Sequence, residues 1–210
     1  MSRALDGFML SAPVVPVVVI EDERHAVMLA RTLIEGGIGV IEVTLRSAAA
    51  LASIEAIARA VPAITLAVGT VINAAQLQAA RDAGAAVAIS PGIDPDLIDA
   101  SVRIGMPLLP GVASASELML GLNAGLSRFK LFPATAINGL ELAKAFAGPF
   151  PDARFCPTGG ISFDAAATYL AQPNILCVGA SWIAPATDIR AERWEQIRKN
   201  ALKAASLRSA

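Results

Sequence analysis

Eight times along this chain a short, β-branched apolar run is followed by a longer stretch with helical spacing, and few architectures accept that rhythm. The runs cover residues 14–20, 38–45, 64–71, 87–90, 108–112, 128–132, 154–157 and 175–179. Helical spacing covers 24–35, 48–59, 74–83, 95–104, 116–124, 140–147 and 163–170, and a last stretch, 191–205, closes the chain. Runs that are nearly continuously apolar predict parallel strands buried on both faces. Eight strand–helix units predict an α/β fold, a single (β/α)8 TIM barrel with parallel strands, over an open doubly wound sheet. Each unit then has about 26 of the 210 residues, which is tight but sufficient. No Gly-x-Gly-x-x-Gly turn follows the first run, which argues against a dinucleotide fold. No linker, charge block or low-complexity tract interrupts the pattern, so residues 1–210 are expected to form one barrel domain.

Composition narrows the partners. Apolar residues make up 55% of the chain and charged residues 17%, which excludes disorder, because burial on that scale offsets chain entropy. The formal net charge of −1 lacks the basic excess that attracts nucleic acid or an anionic membrane surface, so neither is expected as a partner. The uncharged run 7–20 is too short to span a bilayer and contains Pro13 and Pro16. As a signal peptide it would have only Arg3 for positive charge, opposed by Asp6, and no small-x-small cleavage site. A cytoplasmic protein is expected. Cys156 and Cys177 are too few for a disulfide scaffold. The one histidine, His25, leaves no His/Cys zinc cluster, and nothing supports a carboxylate-bound Mg²⁺, so no metal is expected.

Local signals agree with the rhythm. Asn73, Asp94, Ser114, Asn138 and Ser162 stand where helix N-caps are needed, and Ser114 and Glu117 have capping-box spacing. Glycines follow or close several helices, at Gly36, Gly37, Gly84, Gly105, Gly125 and Gly148.

In a barrel, alternate strand residues point inward and reacting groups sit at the strands' C-terminal ends, so polar residues late in apolar runs are the informative ones. Of the four lysines, Lys144, Lys199 and Lys203 lie on helical stretches, where a solvated face explains them. Lys130 does not: alternation turns Phe129 and Leu131 toward the helices and Lys130 inward. Burial disfavours the charged form of an amine and so raises its nucleophilic fraction. The plainer alternative is a structural ion pair or a frayed strand end. In the second run Glu42, Thr44 and Arg46 share one face, and Glu42 and Arg46 could simply pair with each other. A site for a keto acid nevertheless wants these parts: a base, a cation for the carboxylate and an amine for the carbonyl. Other strand ends are polar or sharply turned, at Gly69-Thr70, Ser90-Pro91-Gly92, Thr158-Gly159-Gly160 and Gly179-Ala180-Ser181. Gly159 and Gly160 before Ser162 suit a phosphate held by backbone N–H groups, with Ser181 as an added hydroxyl donor. Three kinds of residue are set aside. His25 reads as a surface histidine and Cys156 and Cys177 as small core residues. Trp182 and Trp194 read as packing anchors, with Trp182 near the phosphate loop.

Glu42-Val-Thr-Leu-Arg46, Gly69-Thr-Val71, Ser90-Pro-Gly92, Lys130-Leu-Phe-Pro133, Pro157-Thr-Gly-Gly-Ile161 and Gly179-Ala-Ser-Trp182 occur in that order. Together they resemble the motifs of the 2-keto-3-deoxy-6-phosphogluconate (KDPG) and 4-hydroxy-2-oxoglutarate (KHG) aldolases. The resemblance implies a class I lyase in which Lys130 forms an imine with the keto carbon, needing no cofactor. It implies that Glu42 shuttles protons, that Arg46 and Thr70 hold the carboxylate end, and that Pro91 and Phe132 line the pyruvyl pocket. Thr158 would face the hydroxylated middle of the substrate. Gly159, Gly160 and Ser181 would receive its phosphate, and Gly179 would be a further substrate-binding residue. The substrate would be a small phosphorylated keto acid, KDPG, cleaved to pyruvate and glyceraldehyde 3-phosphate in the Entner–Doudoroff route, by a homotrimer. KHG or the galactonate epimer is the alternative substrate. A phosphosugar barrel working without an imine, or a non-catalytic phosphosugar-binding barrel, is the alternative function. The sequence departs from the family pattern at Leu66-Ala-Val-Gly69, at Ser114-Ala115 and at Asn138-Gly139.

Overall fold

The computed structural model describes residues 2–208. It opens on a helix the apolar pattern did not reveal, α1 (Ser2–Leu10). Leu5, Phe8 and Met9 bury one stripe of it, at i, i+3 and i+4. Asp6 beside that stripe binds Arg128 through two bonds, Nε–Oδ1 at 2.5 Å and Nη2–Oδ2 at 3.1 Å.

Strands and helices then alternate: β1 (Val14–Val18), α2 (Ala26–Glu35), β2 (Val40–Thr44), α3 (Ala50–Ala60), β3 (Thr65–Gly69) and α4 (Ala74–Asp82). Next come β4 (Val87–Ile89), α5 (Pro95–Ile104), β5 (Leu108–Leu109), β6 (Gly111–Val112), α6 (Ala115–Asn123), β7 (Arg128–Leu131) and α7 (Gly139–Phe146). The last are β8 (Arg154–Pro157), α8 (Phe163–Leu170), β9 (Val178–Ala180), α9 (Ala186–Arg190) and α10 (Trp194–Ala205).

Every ladder is parallel, as the continuous apolar runs required. The strands fall into a six-stranded sheet, β5-β4-β3-β2-β1-β9, and a three-stranded one, β6-β7-β8. The fold is therefore α/β, in short strands rather than the eight longer runs expected. The run 108–112 is divided at Pro110, which has no N–H to give a ladder. Pairing changes hands there. Ser90 N donates to the Leu109 carbonyl at 3.2 Å, and Lys130 N to the Pro110 carbonyl at 2.9 Å. At the other junction Thr158 and Gly179 form an isolated parallel bridge.

The expected helix starts hold at four of five sites. Side chains of Asn73, Asp94, Ser114 and Ser162 accept from Gln76, Asp96, Glu117 and Ala165 backbone N–H groups. Glu117 reaches one residue past the cap, accepting from Ala113 N at 2.6 Å rather than from the Ser114 N–H of a capping box. Asn138 makes no such bond and sits at φ +51° instead. Gly37, Gly84, Gly105 and Gly125 take the left-handed conformation, whereas Gly36 and Gly148 do not. Gly36 is needed for space: a Cβ there would run into Ala201 of α10. Among the described residues no helix is long and apolar enough to cross a membrane.

Candidate active site

Glu42 and Lys130 come from different sheets and meet inside. Their side chains are nearly fully buried, and Lys130 Nζ donates to Glu42 Oε1 at 3.1 Å. They lie in a cavity of about 420 Å³ at the C-terminal ends of the strands. Lys130 Nζ also stands 5.2 Å from the centre of the Phe132 ring, two residues further along the chain. The plainer reading of Lys130 as half of an ion pair is thus correct as geometry, and it places the pair at a cavity wall.

The Glu42–Arg46 pairing weighed from sequence does not occur. Strand β2 ends at Thr44, and Arg46 turns out to the exposed mouth, where Nε donates to Thr44 Oγ1 at 3.1 Å. Thr44 in turn donates to the Val18 carbonyl at 2.9 Å, so a buried hydroxyl aims the guanidinium. Among the described residues Arg46 forms no ion pair, so its charge stands unpaired at the mouth.

All eleven residues expected from the sequence line this one cavity: Glu42, Arg46, Thr70, Pro91, Lys130, Phe132, Thr158, Gly159, Gly160, Gly179 and Ser181. Thr70 sits at φ +64°, a conformation a β-branched residue adopts only under constraint, and such constraint gathers at functional sites. Gly159 and Gly160 turn at φ +110° and +78° before α8, where Ser162 Oγ accepts from the Ala165 N–H. The turn is braced from behind: Thr135 donates from both its backbone N and Oγ1 to the Gly159 carbonyl, each at 3.0 Å. Thr158 hydrogen-bonds the Cys156 carbonyl at 3.3 Å and packs over Gly179, where a Cβ would overlap its hydroxyl.

Sequence reasoning passed over Val17, Thr44, Ile161 and Ala180, which also line the cavity. Thr44 was visible on the Glu42 face; the other three are apolar residues in apolar context, with nothing to distinguish them. His25 needs correcting. Its side chain is only 13% exposed, with Nε2 3.3 Å from Glu192 Oε1 and the ring 6.0 Å from Trp194. Cys156 and Cys177 are core residues as expected. Trp182 is half-buried, edge-on to Phe163 at 5.5 Å, and stays outside the cavity lining.

A family model described as KDPG and KHG aldolase matches residues 5–200. The chain belongs to this aldolase family. A 2-dehydro-3-deoxy-phosphogluconate aldolase of Pseudoalteromonas atlantica is 52% identical to it over 192 residues, which cover 91% of this chain and 89% of the relative. The KDPG aldolase of Legionella pneumophila, with pyruvate captured at low pH as a covalent carbinolamine intermediate, matches with a TM-score of 0.94. Its identity is 42%, covering 96% of this chain and 98% of that one. The Zymomonas mobilis aldolase with 3-phosphoglycerate gives 0.92 at 45% identity, covering 99% and 97%.

Proposed function

We propose that this aldolase cleaves KDPG to pyruvate and glyceraldehyde 3-phosphate through an imine on Lys130, with Glu42 as its proton carrier. The observation that carries the reading is a buried amine 3.1 Å from a buried carboxylate, both facing a cavity large enough for a small keto acid. The Legionella carbinolamine supports it from a relative with nearly the same fold.

Moving the shared proton from Nζ to Glu42 leaves a neutral amine, which adds to the C2 carbonyl. The carbinolamine oxygen takes that proton and departs as water, giving the iminium. The C4 hydroxyl then gives its proton to Glu42. The C3–C4 bond breaks, and its electrons pass to the iminium nitrogen, forming an enamine. A proton returns to C3, and water hydrolyses the iminium to release pyruvate. Arg46 holds the carboxylate at the mouth, and Pro91 and Phe132 close on the three-carbon end. The Gly159–Gly160 turn and Ser181 receive the phosphate.

The proposal extends to the assembly. Chain 108–112 joins one pair of sheet edges and the Thr158–Gly179 bridge the other, which supports reading both sheets as one closed (β/α)8 barrel. A connected apolar core from Leu5 to Ala204 supports a single domain. A cytoplasmic homotrimer follows from the family resemblance.

KHG is the second substrate reading, because the family description includes it. Pyruvate release from KDPG, its galactonate epimer and KHG, measured side by side, tests the choice. The highest kcat/KM is expected for KDPG; a clear preference for KHG would reverse the assignment. Ser181→Ala should weaken KDPG binding by about tenfold, the loss of one hydrogen bond to a charged group. Pyruvate binding should be unchanged, and equal losses for both ligands would remove Ser181 from the phosphate subsite.

A further inference from the structure

Gly69 does not line the cavity, its backbone is not left-handed, and it lies at the end of a fully paired strand. A glycine there weakens β3 with no conformational return, unless something must approach closely. Something does. In register, Glu42 lies beside Ala67 and Thr44 beside Gly69, so small residues flank the inner face of β2. The Glu42 side chain leans along this lane toward Gly69. A Cβ built on Gly69 would stand 2.8 Å from Glu42 Cγ and 2.9 Å from Cδ, and would overlap Oε1. Oε1 is the atom that meets Lys130 Nζ. The carboxylate has little freedom to retreat, because Glu42 is 2% exposed and already hydrogen-bonded to the amine.

We propose that Gly69 is a positioning residue: the missing side chain makes the niche that seats the Glu42 carboxylate against Lys130. This rests on the lysine-imine reading, since the niche matters only if that carboxylate carries protons. Gly69 touches no substrate and acts solely through Glu42. A methyl group in the niche displaces the carboxylate by about an ångström, a misplacement that costs up to about 100-fold in rate.

A double-mutant cycle tests it, using full-length wild type, Gly69→Ala, Glu42→Ala and the double variant. Each is measured for pyruvate release from KDPG, for a borohydride-stabilised pyruvyl adduct by mass spectrometry, and for the urea midpoint. In the wild-type background Gly69→Ala should lower kcat by about 10- to 100-fold with KM changed less than threefold. In the Glu42→Ala background, where the niche is empty, the same substitution should cost less than threefold. Its effect on the urea midpoint should likewise vanish there. If Gly69→Ala alone fails to fold, folding restored in the double variant supports the collision, and failure of both overturns it. Equal factors in the two backgrounds would mean that Gly69 acts through the backbone or Thr70, and would overturn the proposal. So would an unchanged kcat in Gly69→Ala. A wild-type protein that forms no pyruvyl adduct would instead remove the imine reading, and the niche with it. An adduct with an additive cycle removes the niche alone.

Discussion

Lys130→Met should abolish aldol cleavage, lowering kcat by roughly 10⁴-fold or more, the scale seen when an essential nucleophile is removed. Among the described residues it is the only amine at the cavity. Lys144 and Lys199 are 44% and 64% exposed on their helices, and Lys203 lies over the Phe163 ring. Methionine keeps most of the side chain's length and apolar contact, so the loss reports the amine rather than packing. Borohydride with pyruvate should label the wild type at Lys130 and leave the variant unlabelled. A labelled variant would move the imine to another residue. Stability should fall as well, by about 3 kcal/mol, because Glu42 is left buried without its cation. Adding Glu42→Gln should return part of that loss in urea unfolding, since the uncompensated charge is then gone.

Glu42→Gln should lower kcat by about 10²- to 10⁴-fold, the usual contribution of a general acid–base group. It preserves shape but cannot accept the proton that the C4 hydroxyl must lose. Pyruvate should still become trapped on Lys130, more slowly, because the amine remains in place. That split between cleavage and trapping distinguishes a proton carrier from a residue that only shapes the cavity. A turnover close to wild type would assign the proton transfers to a water.

The site was legible because its chemistry sits in the wrong company. Lys130 between Phe129 and Leu131, and Glu42 between Ile41 and Val43, cannot be explained by a buried strand alone. Alternation then turned both inward, and the structure brings them together. What alternation could not give was pairing across the chain. Glu42 was equally able to meet Arg46, and only the early end of β2 sends Arg46 to the mouth instead. Val17, Ile161 and Ala180 were invisible, because an apolar residue lining a cavity has the same pattern as one lining a core. The fold followed the rhythm of the runs, except where one residue type changed local bonding. Pro110 divided a strand that its apolar neighbours made continuous. Helix α1 was masked because its buried stripe merges with the apolar run into β1. Thr70's left-handed backbone had no sequence signal, since threonine is among the residues least suited to it.

The amine belongs to the three-stranded sheet and its carboxylate to the six-stranded one, so on the proposed lysine-imine mechanism turnover gauges the alignment of the seam. Slippage of about an ångström between the halves would silence the enzyme while every helix stayed intact. Thermostabilising changes aimed at that joint should therefore be ranked by retained catalysis, because a melting curve alone does not see it.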